Sequence, residues 1–368
     1  MRWISQILRI ARPTHTCRVW FHLLRMVLPH RRVSLSAEEA EERMRLKYAD
    51  HGRSCLTENK VIDPCRYDLA VIVPAYNAGE SIVQTVRCLT SQQTQYKYCA
   101  IVVDDGSTDG SVDEAMKLVN DSRITCIRQQ NRGVSAARNR ALRTIEARYV
   151  LFCDADDMLP PDAIQRLLDC AYEADADIVE GSMDVERDGK VSPFVVHHEA
   201  DSRDRLTGYA CGKLFRSTLF AHVGYPEGYR YEDTLLPFIL FPMARRVVFV
   251  AQTTYVYRQH KGSFTSREMG NYATLDAYWV VRQLLQDVER LGLECDEELY
   301  NSVLHGMKLS GLRLSSLDTQ TAQAYFAAMC SVAEKRFSGL KGRGRLTYID
   351  LALRQHDYTL YMLAACLL

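Results

Sequence analysis

The chain has 368 residues, of which 47% are hydrophobic, and its 46 basic side chains balance 46 acidic ones. An apolar fraction of this size is typical of a folded globular protein and excludes a largely disordered chain. Because the formal net charge is zero, the protein has no overall positive field that would favour a nucleic acid as its partner.

The cysteines are single and widely spaced. The sequence has 12 of them and no CxxC pair, which argues against a structural zinc site and against a disulfide framework. Cys99, Cys126 and Cys153 fall inside apolar, strand-like runs, as buried thiols often do. No apolar stretch is long enough for a membrane span, and the start lacks the apolar core and cleavage site of a signal peptide. The sequence therefore predicts a cytoplasmic protein with reduced thiols.

Residues 1–66 begin with a basic and apolar segment. Arginines recur from Arg2 to Arg32 with tryptophan, leucine and isoleucine between them, and no acidic residue precedes Glu38. This mixture predicts a basic amphipathic helical arm followed by a linker. Two interpretations stay open. The arm packs on the main domain, or residues 1–32 lie on an anionic membrane surface, which would make the protein peripheral on the inner face of the plasma membrane.

Residues 67–265 alternate between apolar runs and segments of helical periodicity. In one helical segment the apolar residues are Ile82, Val86 and Leu89. The alternation predicts an α/β domain with a Rossmann-like, mostly parallel sheet flanked by helices, and residues 266–368 predict a C-terminal helical region. The predicted strands of the sheet are Leu69–Val73, Ala100–Val103, Ile124–Ile127, Tyr149–Cys153 and Asp177–Val179.

Polar and mostly acidic residues follow three of the predicted strands. Pro74–Glu80 follows the first strand, Asp104–Asp109 the second and Asp154–Asp157 the fourth. Ligands of open α/β sheets bind beyond the carboxyl ends of the strands, so we expect these three loops to border a site.

A single aspartate in such a loop is often a turn or cap residue, and we predict that role for Asp109 and Asp162. Asp105, Asp154 and Asp156 are harder to explain in this way, because carboxylates crowded on one edge repel each other. A divalent cation relieves that repulsion, and carboxylate oxygens suit Mn²⁺ or Mg²⁺.

Five blocks of the sequence, in order, resemble those of the family-2 glycosyltransferases, which are inverting enzymes with the GT-A fold. The resemblance is to the type found in bacterial polysaccharide biosynthesis. No block is specific alone, but their combination is specific, and the match covers residues 67–265. The blocks are VIVPAYNAGESI (71–82), VVDDGSTDGS (102–111), GVSAARNRAL (133–142), FCDADDMLPPD (152–162) and YEDTLLPF (231–238).

The resemblance implies that a nucleotide-sugar donor binds at the strand ends. Asp105 would accept a hydrogen bond from the base, and an ionised carboxylate suits the N3–H of uracil, whereas cytosine has a lone pair there. Guanine also has ring N–H groups, so a GDP-sugar remains an alternative to a UDP-sugar. The implied donor-binding residues are Pro74, Tyr76, Glu80, Asp104, Asp105, Arg138, Asp154, Arg258 and Lys261.

The resemblance also implies a metal site and a catalytic base. Asp154 and Asp156 match the family's DXD motif, whose second aspartate binds Mn²⁺ or Mg²⁺, and His260 is an additional candidate ligand. Glu232 and Asp233 match the acidic pair that supplies the base, with Asp233 the expected base and Glu232 its competitor.

Two of these assignments have simpler alternatives. Arg138 would equally well be a helix-face arginine that pairs with a nearby carboxylate, and Arg258, His260 and Lys261 would equally well form a solvated basic loop.

The implied activity is metal-dependent, inverting transfer of a hexosyl or hexosaminyl group to the hydroxyl of a glycan or lipid-linked acceptor. This reaction would serve the synthesis of cell-surface polysaccharide or glycan. The sequence has no QxxRW motif and no membrane spans, two features of processive synthases in this family, so we expect one sugar to be added per encounter. The alternative is a non-catalytic scaffold that binds carbohydrate or nucleotide-sugar on the same fold.

Overall fold

The computed structural model describes residues 16–57, 66–259 and 270–368. The chain divides into two compact units. The sheet unit comprises Arg53–Gly228 and Glu232–Ser263, and the helical unit comprises Met1–Gly52, Tyr229–Tyr231 and Phe264–Leu368. The three-part division at residues 66 and 265 stays a prediction.

The helices and strands follow one another along the described residues. In chain order they are α1 (Thr16–Val27), α2 (Ala37–Arg45), β1 (Tyr67–Ala75), α3 (Ser81–Thr90), β2 (Tyr98–Asp104), α4 (Ser111–Val119), β3 (Ile124–Arg128), α5 (Val134–Leu142), β4 (Ala147–Phe152), α6 (Ala163–Ala174), β5 (Ile178–Arg187), β6 (Lys190–Val195), β7 (Lys213–Arg216), α7 (Phe241–Met243), β8 (Val247–Gln259), α8 (Asp276–Arg290), α9 (Glu297–Leu314), α10 (Thr319–Arg336), α11 (Thr347–Arg354) and α12 (Tyr358–Leu367). A π-helix, Leu236–Leu240, runs directly into α7.

The sheet unit contains one sheet, which has eight strands among the described residues. Along β3-β2-β1-β4 all pairs are parallel, and β8 is parallel to β5. Strand β7 lies antiparallel between β4 and β5, and β6 returns antiparallel on β5 as a hairpin. The α/β fold class with a mostly parallel sheet flanked by helices is thus confirmed.

Burial on both faces explains the composition of the central strands. In β1 the run from Leu69 to Val73 is completely buried, so it is continuously apolar rather than alternating. Helix α3 packs against the core of the sheet unit through one apolar stripe. In α3 this stripe is Ile82, Val86 and Leu89, all fully buried, and burial of each such side chain stabilises the fold by about 1.5–3 kcal/mol.

The second half of the sheet differs from the sequence pattern in one respect. The apolar runs at 247–250 and 254–257 are separated in the sequence but belong to one strand, β8, whose register against β5 shifts on either side of Ser182. Such a bulge inserts extra residues into a strand and interrupts its alternation, so the sequence pattern looks broken where the strand continues.

The two predicted helix caps have different environments. Asp109 lies one residue before Gly110, the residue at the cap position of α4, and its Oδ1 accepts the N–H of Ser111 (3.1 Å). Asp162 occupies the cap position of α6 but makes no side-chain capping bond, and its carboxylate pairs with Arg166 instead. Asp162 therefore occupies the predicted cap position without a capping bond, whereas the cap prediction is wrong for Asp109, which forms a turn one residue before the cap of α4.

The helical unit is held by capped helices with buried faces. Ser36 and Glu39 form a reciprocal capping box at the start of α2, and Asp318 accepts the N–H of Thr321 (2.9 Å) at the start of α10. The apolar end of the chain is α12, most of which is buried. No helix within residues 16–57, 66–259 and 270–368 is both long enough and apolar enough to cross a membrane.

Candidate active site

The loops that follow β1 and β2 are joined by hydrogen bonds. The N–H of Asn77 donates to Ser107 Oγ (3.0 Å), and the N–H of Thr108 donates to Asn77 Oδ1 (2.8 Å). The N–H of Gly79 donates to Asp109 Oδ2 (3.1 Å). Asn77 has a φ of +47°, a left-handed conformation that asparagine tolerates better than most residues. The two loops therefore form one connected surface at the carboxyl ends of neighbouring strands.

The residues expected to bind the donor in these loops differ in exposure. Tyr76 is 52% exposed, Pro74 is partly exposed, and Glu80 is exposed at the start of α3, where its side chain makes no capping bond. Asp104 is buried, and its Oδ1 accepts the N–H of Ser107 (2.9 Å). Tyr76 and Glu80 are thus available to a ligand, whereas Asp104 shapes the second loop.

Asp105 is buried and accepts three hydrogen bonds. Its Oδ1 accepts from Gln129 Nε2 (2.8 Å) and from the N–H of Arg132 (2.9 Å), and its Oδ2 accepts from the N–H of Gly133 (2.7 Å). Gly133 is the cap residue of α5, so the carboxylate lies at the N-terminus of that helix, where a negative charge is favoured. Sequence reasoning missed this structural role. A carboxylate has about four acceptor positions, so about one remains for a ligand.

Arg138 of α5 brings three carboxylates together. Its Nη1 lies 2.9 Å from Glu232 Oε1 and 3.3 Å from Asp233 Oδ1, and its Nη2 lies 3.5 Å from Asp154 Oδ1. The Arg138 side chain is only 4% exposed, whereas those of Asp154 and Asp233 are 42% and 35% exposed. The structure thus has the arginine paired with carboxylates, and its donor-binding role stays a prediction.

Aromatic rings fix the Arg138 guanidinium in place. Its central carbon lies 4.8 Å from the ring centre of Tyr225 and 5.7 Å from that of Phe152. Asn139 positions Tyr225, because its Nδ2 donates to the Tyr225 carbonyl (2.8 Å) and its Oδ1 accepts the Tyr225 N–H (2.7 Å). Sequence reasoning missed Tyr225, because no motif connects it to the segment Ala137–Asn139.

This burial perturbs the protonation of the acidic pair. Burial, together with the negative charge of Asp233, raises the pKa of Glu232 to about 7, although Arg138 opposes the rise. Burial also raises the pKa of Asp233, again against Arg138. For Arg138, burial alone would lower the pKa, but the facing carboxylates hold it well above its usual range. The pair can therefore exchange a proton near neutral pH while the arginine stays charged.

The three aspartates after β4 differ in their roles. Asp154 and Asp156 are partly exposed, whereas Asp157 is buried and accepts from the Tyr255 hydroxyl (2.6 Å) and from the N–H of Arg258 (2.8 Å). Burial, together with the charge of Asp154, raises the pKa of Asp157 to about 8. Asp157 thus links the end of β4 to β8, a structural role that was not predicted.

Two of the predicted ligands, His260 and Lys261, lie outside the described residues. Arg258 is 21% exposed, and its Nε lies 3.8 Å from Glu186 Oε2. Within the described ranges, no three histidine, cysteine, aspartate or glutamate side chains are close enough together to hold a metal ion. The ten cysteines whose side chains are described are free thiols.

Comparisons with known proteins show the family to which the chain is similar. Residues 70–253 match the sequence model of Glycosyl transferase family 2. The chain is 27% identical over 249 residues to the glycosyltransferase GlyG of Streptococcus pneumoniae, which covers 61% of this chain and 82% of that protein. It is 30% identical over 219 residues to the putative glycosyltransferase EpsH of Bacillus subtilis, covering 54% of this chain and 63% of that one.

A solved structure has a similar fold. The S. aureus protein TarS, residues 1–349 in complex with UDP-GlcNAc, superposes with a TM-score of 0.61 at 19% sequence identity. The superposition covers 80% of this chain and 89% of that one. At this identity, the likeness concerns the fold alone.

Proposed function

The chain belongs to glycosyl transferase family 2, and we propose that it moves one sugar from a nucleotide-diphosphate donor to an acceptor hydroxyl with inversion at the anomeric carbon. The observation that best supports the proposal is the convergence of Asp154, Glu232 and Asp233 on the buried guanidinium of Arg138. This arrangement joins a residue of the proposed donor site to the proposed base.

We assign the catalytic base to Asp233. Its side chain is 35% exposed, whereas that of Glu232 is 13% exposed and lies closer to Arg138. In the reaction the acceptor hydroxyl loses its proton to the carboxylate, and its oxygen bonds to the anomeric carbon. The bond from that carbon to the diphosphate breaks, and the nucleoside diphosphate leaves. Because burial raises the pKa of Asp233, its carboxylate is a stronger base than an exposed aspartate.

The proposed donor is a UDP-sugar. The remaining acceptor position of Asp105 suits the N3–H of uracil, and the exposed Tyr76 and Glu80 lie in the adjoining loop. TarS, a protein with a similar fold, binds UDP-GlcNAc, which is a property of that protein. We propose that Arg258 and Lys261 contact the diphosphate.

The carboxylate oxygens that follow β4 suit a hard divalent cation as metal ligands. Asp154 and Asp156 offer only oxygen atoms and are partly exposed, as Mn²⁺ or Mg²⁺ requires of ligands that share the ion with phosphate and water. A bound ion would neutralise charge on the departing diphosphate. With two carboxylates from the described residues, the remaining positions fall to diphosphate oxygens, to water and to His260.

We further propose a role in the non-processive synthesis of cell-surface polysaccharide or glycan, on a glycan or lipid-linked acceptor. The resemblance to enzymes of bacterial polysaccharide biosynthesis supports this role. The alternative, a non-catalytic scaffold that binds nucleotide-sugar, predicts binding without turnover, so metal-dependent release of UDP from a UDP-sugar separates the two.

Two variants test the proposed chemistry. Asp233→Asn keeps the shape of the side chain but cannot take a proton, so transfer should fall by roughly 10²–10⁴-fold while UDP binding persists. Asp156→Ala should lose metal-dependent UDP binding as well. Isothermal titration with UDP and Mn²⁺, beside a transfer assay, measures both. Full activity of Asp156→Ala in excess chelator would refute the metal assignment, and an active Asp233→Asn beside an inactive Glu232→Gln would move the base to Glu232.

We also propose that α1 lies on an anionic membrane surface, which would make the cytoplasmic protein peripheral on the inner face of the plasma membrane. Trp20, Leu23, Met26 and Val27 are 47%, 45%, 76% and 78% exposed. At 3.6 residues per turn they share an arc of about 120° on one side of the helix. Phe21, on the other side, is fully buried. An exposed apolar stripe beside a basic segment is typical of an interfacial helix.

Contacts within the helical unit hold the inner side of α1 and the segment that follows it. The ring of Phe21 lies 4.8 Å from that of Tyr348, and the N–H of Tyr358 donates to the carbonyl of Arg31 (3.0 Å). The first fifteen residues lie outside the described residues. In the sequence no acidic residue precedes Glu38, so the segment complements anionic head groups.

Liposome co-sedimentation tests this assignment. The full chain should bind phosphatidylglycerol vesicles, should bind phosphatidylcholine vesicles far less, and should be released by salt. Replacing Trp20 and Leu23 by serine should weaken binding by about tenfold or more, because each loses apolar burial in the interface. The matched control replaces Leu309 and Leu312, which are 55% and 46% exposed on α9. An equal loss of vesicle binding in both double variants would show that the N-terminal arm serves packing and not membrane binding.

A further inference from the structure

A cluster of aromatic side chains stands partly exposed on the sheet unit. The ring centre of Phe194 on β6 lies 5.7 Å from that of Tyr209 and 6.2 Å from that of Tyr257 on β8. Phe194 is 42% exposed and Tyr209 is 46% exposed. Exposed aromatic side chains that adjoin one another are unusual on a protein surface and often mark a binding site.

The cluster adjoins the proposed base. Burial and the neighbouring Tyr257 raise the pKa of Tyr209, and the negative charge of Asp233 adds to the rise, so the carboxylate lies close to Tyr209. The aromatic surface and the carboxylate therefore belong to one continuous region of the sheet unit. A molecule resting on the rings of Tyr209 and Phe194 would bring its edge toward Asp233.

A buried ion pair fixes the backbone that carries Tyr209. The Nζ of Lys213 donates to the carbonyl of Tyr209 (2.7 Å) and to Thr207 Oγ1 (2.7 Å), and it lies 2.8 Å from Glu180 Oε1. Glu180 and Lys213 are both fully buried. Such a pair is a poor source of stability, because desolvation of two charges offsets their attraction. Its benefit here is positional, since it holds Tyr209 in place before any ligand binds.

On these grounds we propose that Tyr209 and Phe194 form the acceptor subsite, and that the group they bind is a pyranose ring. This inference rests on the proposed function. A pyranose has C–H bonds on its faces and hydroxyl groups around its rim, so a face can cover an aromatic surface while a rim hydroxyl reaches a neighbouring carboxylate. An acceptor that placed a phosphate there would be repelled by Asp233 and Glu232.

Saturation-transfer NMR on the full chain tests the proposal without knowledge of the natural acceptor. The probes are the methyl glycosides of glucose, galactose and N-acetylglucosamine, with glucitol as an open-chain comparison. Saturation transfer from the protein should be strongest at the ring-face protons of at least one glycoside and weaker for glucitol. Tyr209→Ala and Phe194→Ala should each lower it by about fivefold or more, and Tyr209→Phe should keep it, because the stacking surface remains.

The control variant is Leu118→Ala on α4, which removes a side chain that is 55% exposed on the same unit. This control variant should leave the saturation transfer unchanged. The melting temperatures of all variants show whether they fold. Three results would refute the proposed acceptor subsite. They are no saturation transfer to any glycoside in the wild type, equal saturation transfer to glucitol, and unchanged saturation transfer in both alanine variants. Titration with UDP reports separately on the proposed donor site. Failure to bind UDP would therefore count against the proposed function and not against the acceptor subsite.

Discussion

Replacing Arg138 by methionine is the sharpest test of how the site sets the protonation of its acidic pair. Methionine is close in length to arginine and can stay between Tyr225 and Phe152, but it removes the cation that faces Asp154, Glu232 and Asp233. An opposite charge at this distance typically lowers the pKa of a carboxylate by about 1–3 units, so its removal should raise the pKa of the pair by that amount.

The consequence for catalysis follows from the pKa of Glu232, which is about 7 in the native protein. At pH 7 such a group is about half ionised, and a rise of about 1–3 units leaves about 10% to 0.1% of it ionised. If the ionised pair is the active form, kcat/KM at pH 7 should fall by about 5- to 500-fold and recover as the pH rises. The pair titrates as a unit, so the argument holds whether Asp233 or Glu232 takes the proton.

Stability should change with pH in the same sense. In the folded variant the carboxyl groups of the pair have pKa values raised above those of the unfolded chain. Their contribution to stability is therefore fully present at low pH and is lost as the pH rises through the folded pKa. The melting temperature of Arg138→Met should consequently lie further below that of the wild type at pH 8.5 than at pH 5.5.

The measurement is the pH dependence of kcat/KM and of the melting temperature for the wild type, Arg138→Met and Arg140→Met. Arg140 lies two residues further along α5 and is exposed, so its variant loses a charge from the same helix without touching the site. An acid limb at the same pH in all three proteins would refute the reasoning, because Arg138 would then have no influence on the proton of the base.

Three further predictions concern stability and can be measured by denaturant unfolding. Asp157→Ala removes the acceptor of the hydrogen bonds from Tyr255 and Arg258 and should lower the free energy of unfolding by about 2–4 kcal/mol. Asp105→Ala removes the acceptor of three hydrogen bonds, so it should lower the free energy of unfolding by about 1–3 kcal/mol and also weaken UDP binding; unchanged stability would show that these bonds are dispensable. Lys213→Met should cost about 3–5 kcal/mol by removing the lysine cation that pairs with the buried Glu180, and adding Glu180→Gln should restore part of it.

The parallel half of the sheet was predictable from the sequence because burial on both faces leaves a direct mark on composition. In β1 each residue from Leu69 to Val73 is apolar, and the acidic loops follow such runs at their carboxyl ends. The burial of Asp157 had no such mark, because three of the four residues from 154 to 157 are aspartates and only the structure distinguishes the partly exposed Asp154 and Asp156 from the buried Asp157.

The parts that were not predicted depend on contacts between residues far apart in the chain. Arg138 meets Glu232 and Asp233 across more than ninety positions, and the pairing of Tyr225 with Asn139 spans 86. Two of the three hydrogen bonds that occupy Asp105 come from the backbone of Arg132 and Gly133, and backbone donors leave no imprint on side-chain identity. Motif spacing could therefore indicate the groups of the site but not the partners that fix them.

The way Asp105 is held determines which mutations this segment can tolerate during evolution. Arg132 donates its backbone N–H to the Asp105 carboxylate, so substitution of the Arg132 side chain leaves this hydrogen bond intact. Gly106 is different, since its φ is +79° and a side chain there would lie 2.9 Å from the backbone nitrogen of Asn131. An insertion or deletion between Ile127 and Gly133 would shift every donor out of register at once. Natural variants should therefore differ here in composition while keeping the length of the segment.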